Sequence, residues 1–101
     1  MKTAIAVTTI HVPVLLEDYA RDAKKYGHEP VFLVVADKKT PPEAEDFCKK
    51  LAADTGLEVR WLSCAEQESI LAPHPQLAAH LPWNSIQRRN VAHLLAWREG
   101  F

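Results

Sequence analysis

The sequence lacks the short motifs by which many nucleotide, metal and nucleophile sites can be recognised. It has no Gly-x-Gly-x-x-Gly and no Gly-Lys-Ser/Thr segment, so neither a dinucleotide-binding Rossmann site nor a P-loop is indicated. No Ser/His/Asp or Cys/His signature indicates a nucleophilic enzyme. The five histidines form no pair with zinc-ligand spacing. The sequence therefore predicts no catalytic residue and no metal ligand within this chain.

An excess of charge and long apolar runs are also absent. Twelve Lys and Arg stand against 13 Asp and Glu, for a net charge of −1, which argues against a nucleic-acid or membrane-surface partner. No segment approaches transmembrane length, and His11 and Pro13 interrupt the first apolar run, which argues against a signal peptide. Cys48 and Cys64 lie far apart without a CxxC. We interpret them as small, reduced core residues of a cytoplasmic chain.

What the sequence does contain is an apolar, largely β-branched run at residues 31–36, followed at once by Asp37-Lys38-Lys39. An apolar run without alternation is typical of a strand that is covered on both faces of a parallel sheet. Open α/β sheets bind ligands just past the carboxyl ends of their strands, so Asp37 and Lys38 are candidate ligand contacts. Alternatively, Asp37 bonds its own backbone in a turn and Lys38 is solvated.

Strands and helices are predicted to alternate along the first 62 residues. Strands are predicted at residues 3–10, 31–36 and 57–62, and the helices between them end at Gly27 and Gly56. Thr40-Pro41-Pro42-Glu43 predicts a capping box for the second helix. The apolar stripe of the first helix comprises Leu15, Leu16, Tyr19, Ala20, Ala23 and Tyr26. This order predicts one α/β domain over residues 1–101, a three-layer parallel sheet (βαβαβ) followed by a helix.

The remaining residues predict a short helix at 65–71, irregular structure around a helical turn up to residue 83, and a last helix at 86–99 capped by Asn84-Ser85. Its apolar residues cover a wide arc, which predicts that it is covered on more than one side. His93 lies on that arc, and we interpret it as a core histidine. The residues defining the arc are Ile86, Val91, Leu94, Leu95 and Trp97.

Arg88, Arg89 and Asn90 crowd the start of this last helix. Cations there oppose the helix dipole, and a bound anion would resolve the conflict, because a helix start offers free N–H groups and arginine a planar fork of donors. A phosphate group can accept hydrogen bonds both from the helix-start N–H groups and from arginine. Alternatively, the two arginines lie on the surface or pair with Glu66 or Glu68.

Three ordered segments resemble one known family, the STELLO-type glycosyltransferase-like proteins. Residues 34–41 (VVADKKTP) are similar to its GDKKTP block, residues 61–67 (WLSCAEQ) to YLS-x-x-EQ, and residues 81–91 (LPWNSIQRRNV) to LPYNSYARKNIGYL. Residues 7–10 fit the opening strand. Ala36 replaces a glycine of the family, and Ala92-His93 replaces Gly-Tyr. The pattern is more distantly similar to the reversibly glycosylated polypeptides, which act on UDP-sugars.

The resemblance implies the Rossmann-like, nucleotide-binding front half of a GT-A glycosyltransferase fold. The implied donor is a nucleotide diphosphate sugar, with a UDP-sugar favoured, and the acceptor is unknown. The family pattern places the residue at Asp37 against the base or ribose, those at Arg89 and Asn90 facing the nucleotide, and those at Thr8 and Thr9 in a loop over it. With their neighbours, the predicted nucleotide-binding set is Thr8, Thr9, Ile10, Asp37, Lys38, Arg88, Arg89 and Asn90.

The family continues with a strand and an acidic Asp-x-Asp-type motif that holds a divalent metal, Mn or Mg. This chain ends before such a motif, so the resemblance implies that the metal ligands lie outside it. The 101 residues alone are then expected to be inactive, and a missing carboxyl-terminal part or an oligomer partner would cover the last helix. Alternatives are a non-catalytic nucleotide-binding or protein-interaction module, and a flavodoxin-like domain with another ligand.

Overall fold

The computed structural model describes residues 3–101, except for the side chain of Ile86. Strands β1 (Ala4–Thr8), β2 (Val31–Val35) and β3 (Val59–Leu62) form a parallel sheet in the order β1-β2-β3. Helices α1 (Leu16–Lys25) and α2 (Glu43–Thr55) connect them, and α3 (Cys64–Leu71) and α4 (Pro75–Ala79) follow. A 3₁₀ turn (Ile86–Arg88) leads into α5 (Arg89–Arg98). The predicted α/β order with a parallel sheet is confirmed.

Helices cover both faces of the sheet, which explains why β2 is apolar without alternation. Successive strand residues point to opposite faces. Phe32 and Val34 pack against α1 and α2, whereas Leu33 and Val35 pack against α3 and α5. All four side chains are fully buried. The central strand therefore has no solvent-facing side, as parallel sheets require.

The predicted stripe of α1 is only partly correct. Leu16 and Ala20, four residues apart, are buried, but Leu15 and Tyr19 are 62% and 50% exposed. Tyr26 is also exposed, beyond the end of the helix. β1 lies at the edge of the sheet, and the narrow surface there accommodates one line of residues at i, i+4 spacing rather than a broad stripe.

The predicted capping box of α2 is wrong. Pro42 occupies the cap position, and no side chain caps the helix. The Thr40 hydroxyl instead donates to the Thr9 carbonyl (2.6 Å) and accepts from the Asp37 N–H (2.8 Å). In the first turn of α2, the Ala44 and Glu45 N–H groups bond the Pro41 and Pro42 carbonyls, so these two donors need no side-chain cap.

Helix α3 begins with a side-chain cap that the sequence analysis does not predict. The Ser63 hydroxyl accepts from the Glu66 N–H at 3.1 Å. Ser63 and Glu66 have the S-x-x-E spacing of a capping box. This cap fixes where α3 begins, and α3 carries a residue of the site described below.

Replacing Ser63 with alanine should lower the free energy of unfolding by about 1 kcal/mol, because the Glu66 N–H loses its acceptor. Urea denaturation measures this change. Ser69→Ala is the matched control, since Ser69 is an exposed residue of the same helix. An equal effect of the two substitutions would show that the Ser63 hydroxyl does not stabilise the helix start.

α5 packs on two sides, as predicted. Ala92 and Leu95 face the sheet, and Val91 and Leu94 face α3 and α4. The expectation that His93 is a core residue is wrong: it is exposed, and Trp97, four residues later, is 78% exposed. The spacing places both on the outer side of the helix. The predicted contribution of the Ile86 side chain lies outside the described residues.

Both cysteines are free thiols, Cys48 buried and Cys64 partly buried. Burial, with a smaller contribution from Glu45, raises the pKa of the Cys48 thiol to about 11, so Cys48 is protonated and unreactive at neutral pH. Separately, no helix within residues 3–101 combines the length and the apolar character needed to cross a membrane.

Candidate functional site

Three segments that are distant in the sequence meet at the carboxyl ends of β2 and β3. They are residues 36–40 after β2, the helix α3 after β3, and residues 81–88 before α5. Their polar groups form two hydrogen-bonded sets, Asp37 with Thr40 and Asn84, and Gln67 with Arg88. The bond from Gln67 to the carbonyl of Ala36, the neighbour of Asp37, connects the two sets through the backbone. We call these five residues the strand-end cluster. Ligand sites of open α/β sheets form at this end of the strands.

Asp37 is the acceptor that joins the first and third segments. One carboxylate oxygen, Oδ1, accepts from the Lys38 N–H (2.7 Å) and from the Asn84 N–H (2.6 Å). The bond from the Lys38 N–H agrees with the interpretation of Asp37 as a turn residue. The bond from the Asn84 N–H adds a contact to a segment that is distant in the sequence. Oδ2 bonds no group within residues 3–101, and it is not sealed from solvent. One oxygen holds the fold, and the other can accept from a ligand.

Gln67 connects the second segment to both others from a fully buried position. Its Nε2 group donates to the Ala36 carbonyl (2.6 Å) and to the Leu62 carbonyl (2.9 Å). These carbonyls lie just past β2 and at the end of β3, so the side chain ties the two strand ends together. Its Oε1 atom accepts from Arg88 Nε (3.2 Å) and Nη2 (2.8 Å).

Arg88 is neither a surface residue nor the ion-pair partner of Glu66 or Glu68. It is 2% exposed, and its Nη1 group donates to the Leu81 carbonyl at 2.9 Å. Its Cζ atom lies 3.7 Å from the centre of the Trp83 ring. Burial lowers the pKa of the Arg88 guanidinium, which the negative charge of Asp37 partly offsets. Arg88 therefore holds residues 81–83 against α3.

Thr8, Thr9 and Ile10 lie at the carboxyl end of β1, beside the strand-end cluster. The Thr9 carbonyl accepts from the Thr40 hydroxyl, which links β1 to the residues after β2. The Thr9 hydroxyl is engaged in its own turn, donating to the His11 carbonyl and accepting from the His11 N–H. Thr8 is half-buried and Ile10 is exposed. A cleft of about 270 Å³ lies next to Thr8 and Thr9.

The other predicted residues are less constrained. Lys38 is exposed, and its Nζ atom lies 5.1 Å from the centre of the Trp83 ring. Arg89, the first residue of α5, is half-exposed and Asn90 is exposed. Within residues 3–101 neither side chain forms a hydrogen bond or ion pair. The structure thus brings Asp37 and Lys38 together with Arg88 and leaves Arg89 available to a ligand.

Gln67 and Trp83 are site residues that the sequence analysis missed. A signal for Gln67 was present, because Ile70 and Leu71 follow it by three and four residues and so share its side of α3. A polar residue on an apolar helix side has to find hydrogen bonds inside the protein. The position of Trp83 over Arg88 had no such local signal.

Among the described residues, no three His, Cys, Asp or Glu side chains come together in a group that could hold a metal ion. Cavity size also does not identify the site. A cavity of about 810 Å³, larger than those near the cluster, lies at the opposite end of the sheet, beside Thr3, Val31 and Arg60. That is the amino end of the strands, where open α/β sheets do not bind their ligands.

The fold defines an α/β protein with a three-stranded parallel sheet and a polar cluster at the carboxyl ends of its strands. No protein-family model matches the chain, and no curated protein is significantly similar to it. The function has to be argued from the cluster and from the three segments that compose it.

Proposed function

We propose that the chain is the nucleotide-binding part of a glycosyltransferase of GT-A fold that takes a nucleotide diphosphate sugar, with a UDP-sugar favoured. One observation carries this proposal. Each of the three segments that resemble STELLO-type proteins contributes a residue to one hydrogen-bonded cluster: Asp37 from the first, Gln67 from the second and Arg88 from the third.

In this proposal, Asp37 Oδ2 accepts a hydrogen bond from the base or from a ribose hydroxyl. Lys38 and Arg89 face the diphosphate, with Asn90 beside them, and Thr8, Thr9 and Ile10 border the nucleotide. Gln67 and Arg88 act as positioning residues, since Gln67 bonds the carbonyl of Ala36, the neighbour of Asp37, and Arg88 bonds Gln67 and the Leu81 carbonyl. Sugar transfer, the divalent metal and the acceptor would need residues outside these 101.

A second candidate is a non-catalytic α/β module in which the same residues only stabilise the fold. The observation that favours it is that Gln67, Arg88 and Thr40 already form hydrogen bonds to other groups of the protein. Only the first candidate requires the chain to bind nucleoside diphosphates, so a binding measurement distinguishes the two.

Asp37→Asn tests the ligand role of Asp37 without removing its structural role. The asparagine oxygen can still accept from Lys38 and Asn84, but the NH₂ group in place of Oδ2 cannot accept from a ligand. We expect the native chain to bind UDP and the variant to bind it about tenfold more weakly, since a lost hydrogen bond to a charged group costs about 1.5–3 kcal/mol. Titration calorimetry measures both affinities.

The control for this experiment is Asp46→Asn, which makes the same change at an exposed position of α2. Its UDP affinity should equal that of the native chain. A native chain that binds no nucleoside diphosphate would favour the non-catalytic module, and an unchanged affinity in Asp37→Asn would leave Asp37 with only a structural role.

A further inference from the structure

The Arg88 guanidinium has donors that the protein does not use. Arginine carries five N–H groups. Nε and Nη2 share Gln67 Oε1, and Nη1 donates to Leu81. One N–H on each terminal nitrogen is left, and within residues 3–101 no acceptor is bonded to either. An N–H group on a terminal nitrogen of arginine can donate a charge-assisted hydrogen bond to a carboxylate oxygen.

The charge of Arg88 is also incompletely compensated. Among the described residues no carboxylate lies within ion-pair distance of it. A buried cation without a close counterion is costly, and the lowered pKa of Arg88, caused first by burial, reflects that cost. Trp83 and Gln67 reduce the cost without supplying a negative charge, and Asp37 and Glu68 offset it only in part, from beyond ion-pair distance.

Arg88 lines a groove of about 640 Å³ between α3, α4 and residues 81–83, a volume usual for small-molecule sites. Leu71, Leu81 and Arg88 are its buried residues, and Ala72, Ala78 and Trp83 form its walls. Neither Asp37 nor Lys38 lines it. The groove therefore lies apart from the proposed nucleotide contacts, with Trp83 and Arg88 between the two.

We propose that this groove binds a small organic carboxylate with an apolar body, its carboxylate accepting from the remaining N–H groups of Arg88. Phosphate fits the positive charge but not the walls, most of which are leucine, alanine and proline side chains. This site does not depend on the proposed nucleotide function.

One charge opposes such a ligand. Glu68 is exposed and lines the same groove, so its carboxylate repels an incoming anion. This makes Glu68 a determinant of affinity in a predictable direction: removing its charge should strengthen carboxylate binding. A groove that bound only apolar groups would not respond in this way.

The test is a titration of the isotope-labelled full chain at pH 7, followed through the amide signals of Ala72 and Ala78 and the indole N–H of Trp83. The probes are benzoate, its neutral analogue benzamide, and inorganic phosphate. We expect saturable shifts with benzoate, binding of benzamide at least about tenfold weaker because the charged hydrogen bonds are lost, and no saturable shifts with phosphate.

Two variants and one control complete the test. Glu68→Gln should bind benzoate about twofold more tightly or better, in line with the small energies of exposed charges. Arg88→Gln should bind it about tenfold more weakly. Arg21→Gln removes the same charge from an exposed position on α1 and should match the native chain. If Arg88→Gln does not fold, Glu68→Gln and the benzamide comparison still decide the result.

Equal binding of benzoate and benzamide would overturn the proposal, because the groove would then be merely apolar. Equal binding of phosphate would overturn the requirement for an apolar body. Benzoate shifts confined to the cavity beside Thr3 and Arg60, or an unchanged affinity in a folded Arg88→Gln, would show that Arg88 does not receive the carboxylate. An unchanged affinity in Glu68→Gln would show that the carboxylate does not lie near Glu68 in this groove.

Discussion

Replacing Gln67 with leucine should lower the free energy of unfolding by about 3 kcal/mol or more, the largest stability loss expected for a single substitution in the strand-end cluster. The Ala36 carbonyl would lose its donor, the Leu62 carbonyl would keep only the Ala36 N–H, and Arg88 would lose the acceptor of two of its N–H groups. Each buried polar group left without a partner costs about 1–3 kcal/mol, and a charged group costs more. Urea denaturation followed by circular dichroism measures the loss.

The free energy of unfolding of the double variant, Gln67→Leu with Arg88→Met, is to be compared with that of Gln67→Leu alone. If the penalty comes from an unsatisfied buried cation, removing that cation should recover part of it, because apolar replacement of both partners is often tolerated. Gln76→Leu, at an exposed position of α4, is the control for adding a leucine. A loss below about 1 kcal/mol in Gln67→Leu would show that water replaces the amide and that the network contributes little.

Replacing Arg89 with alanine should weaken the binding of a nucleoside diphosphate about tenfold or more and leave nucleoside binding nearly unchanged. Arg88 is held by Gln67 and Leu81, and Lys38 lies near Trp83, whereas Arg89 has no bonded partner within residues 3–101. It also lies in the first turn of α5, the end at which the helix dipole favours an anion. A lost charge-assisted hydrogen bond costs about 1.5–3 kcal/mol.

Arg89→Lys should lose a similar part of the affinity, because lysine keeps the charge but not the planar fork of donors that matches phosphate oxygens. Calorimetry with uridine and with UDP separates the two contributions. Arg98→Ala, at the opposite end of α5, is the control for the loss of a positive charge. If Arg89→Ala bound UDP as tightly as the native chain, Arg89 would be a surface charge and the phosphate would have to lie elsewhere.

Several features could be predicted because the forces that produce them are local. The apolar run at β2 and the glycines after α1 and α2 act through neighbouring residues, and they sufficed for the order of strands and helices. The errors arose where another part of the chain competes. Thr40 could have capped α2, but Thr9 and Asp37 offered it partners. His93 lies on an apolar arc, yet the sheet and α3 cover only the other sides of α5.

The sequence by itself determined the α/β class, the buried central strand and the candidacy of Asp37, because periodicity, turn residues and the residue after a strand are local properties. Only the tertiary structure decided which of Arg88 and Arg89 is buried and bonded within the protein. The two are adjacent in sequence and chemically identical, but one points at Gln67 and Trp83 and the other does not. That difference depends on where α3 and residues 81–83 lie in space, and the spacing of residues along the chain carries no information about such distances.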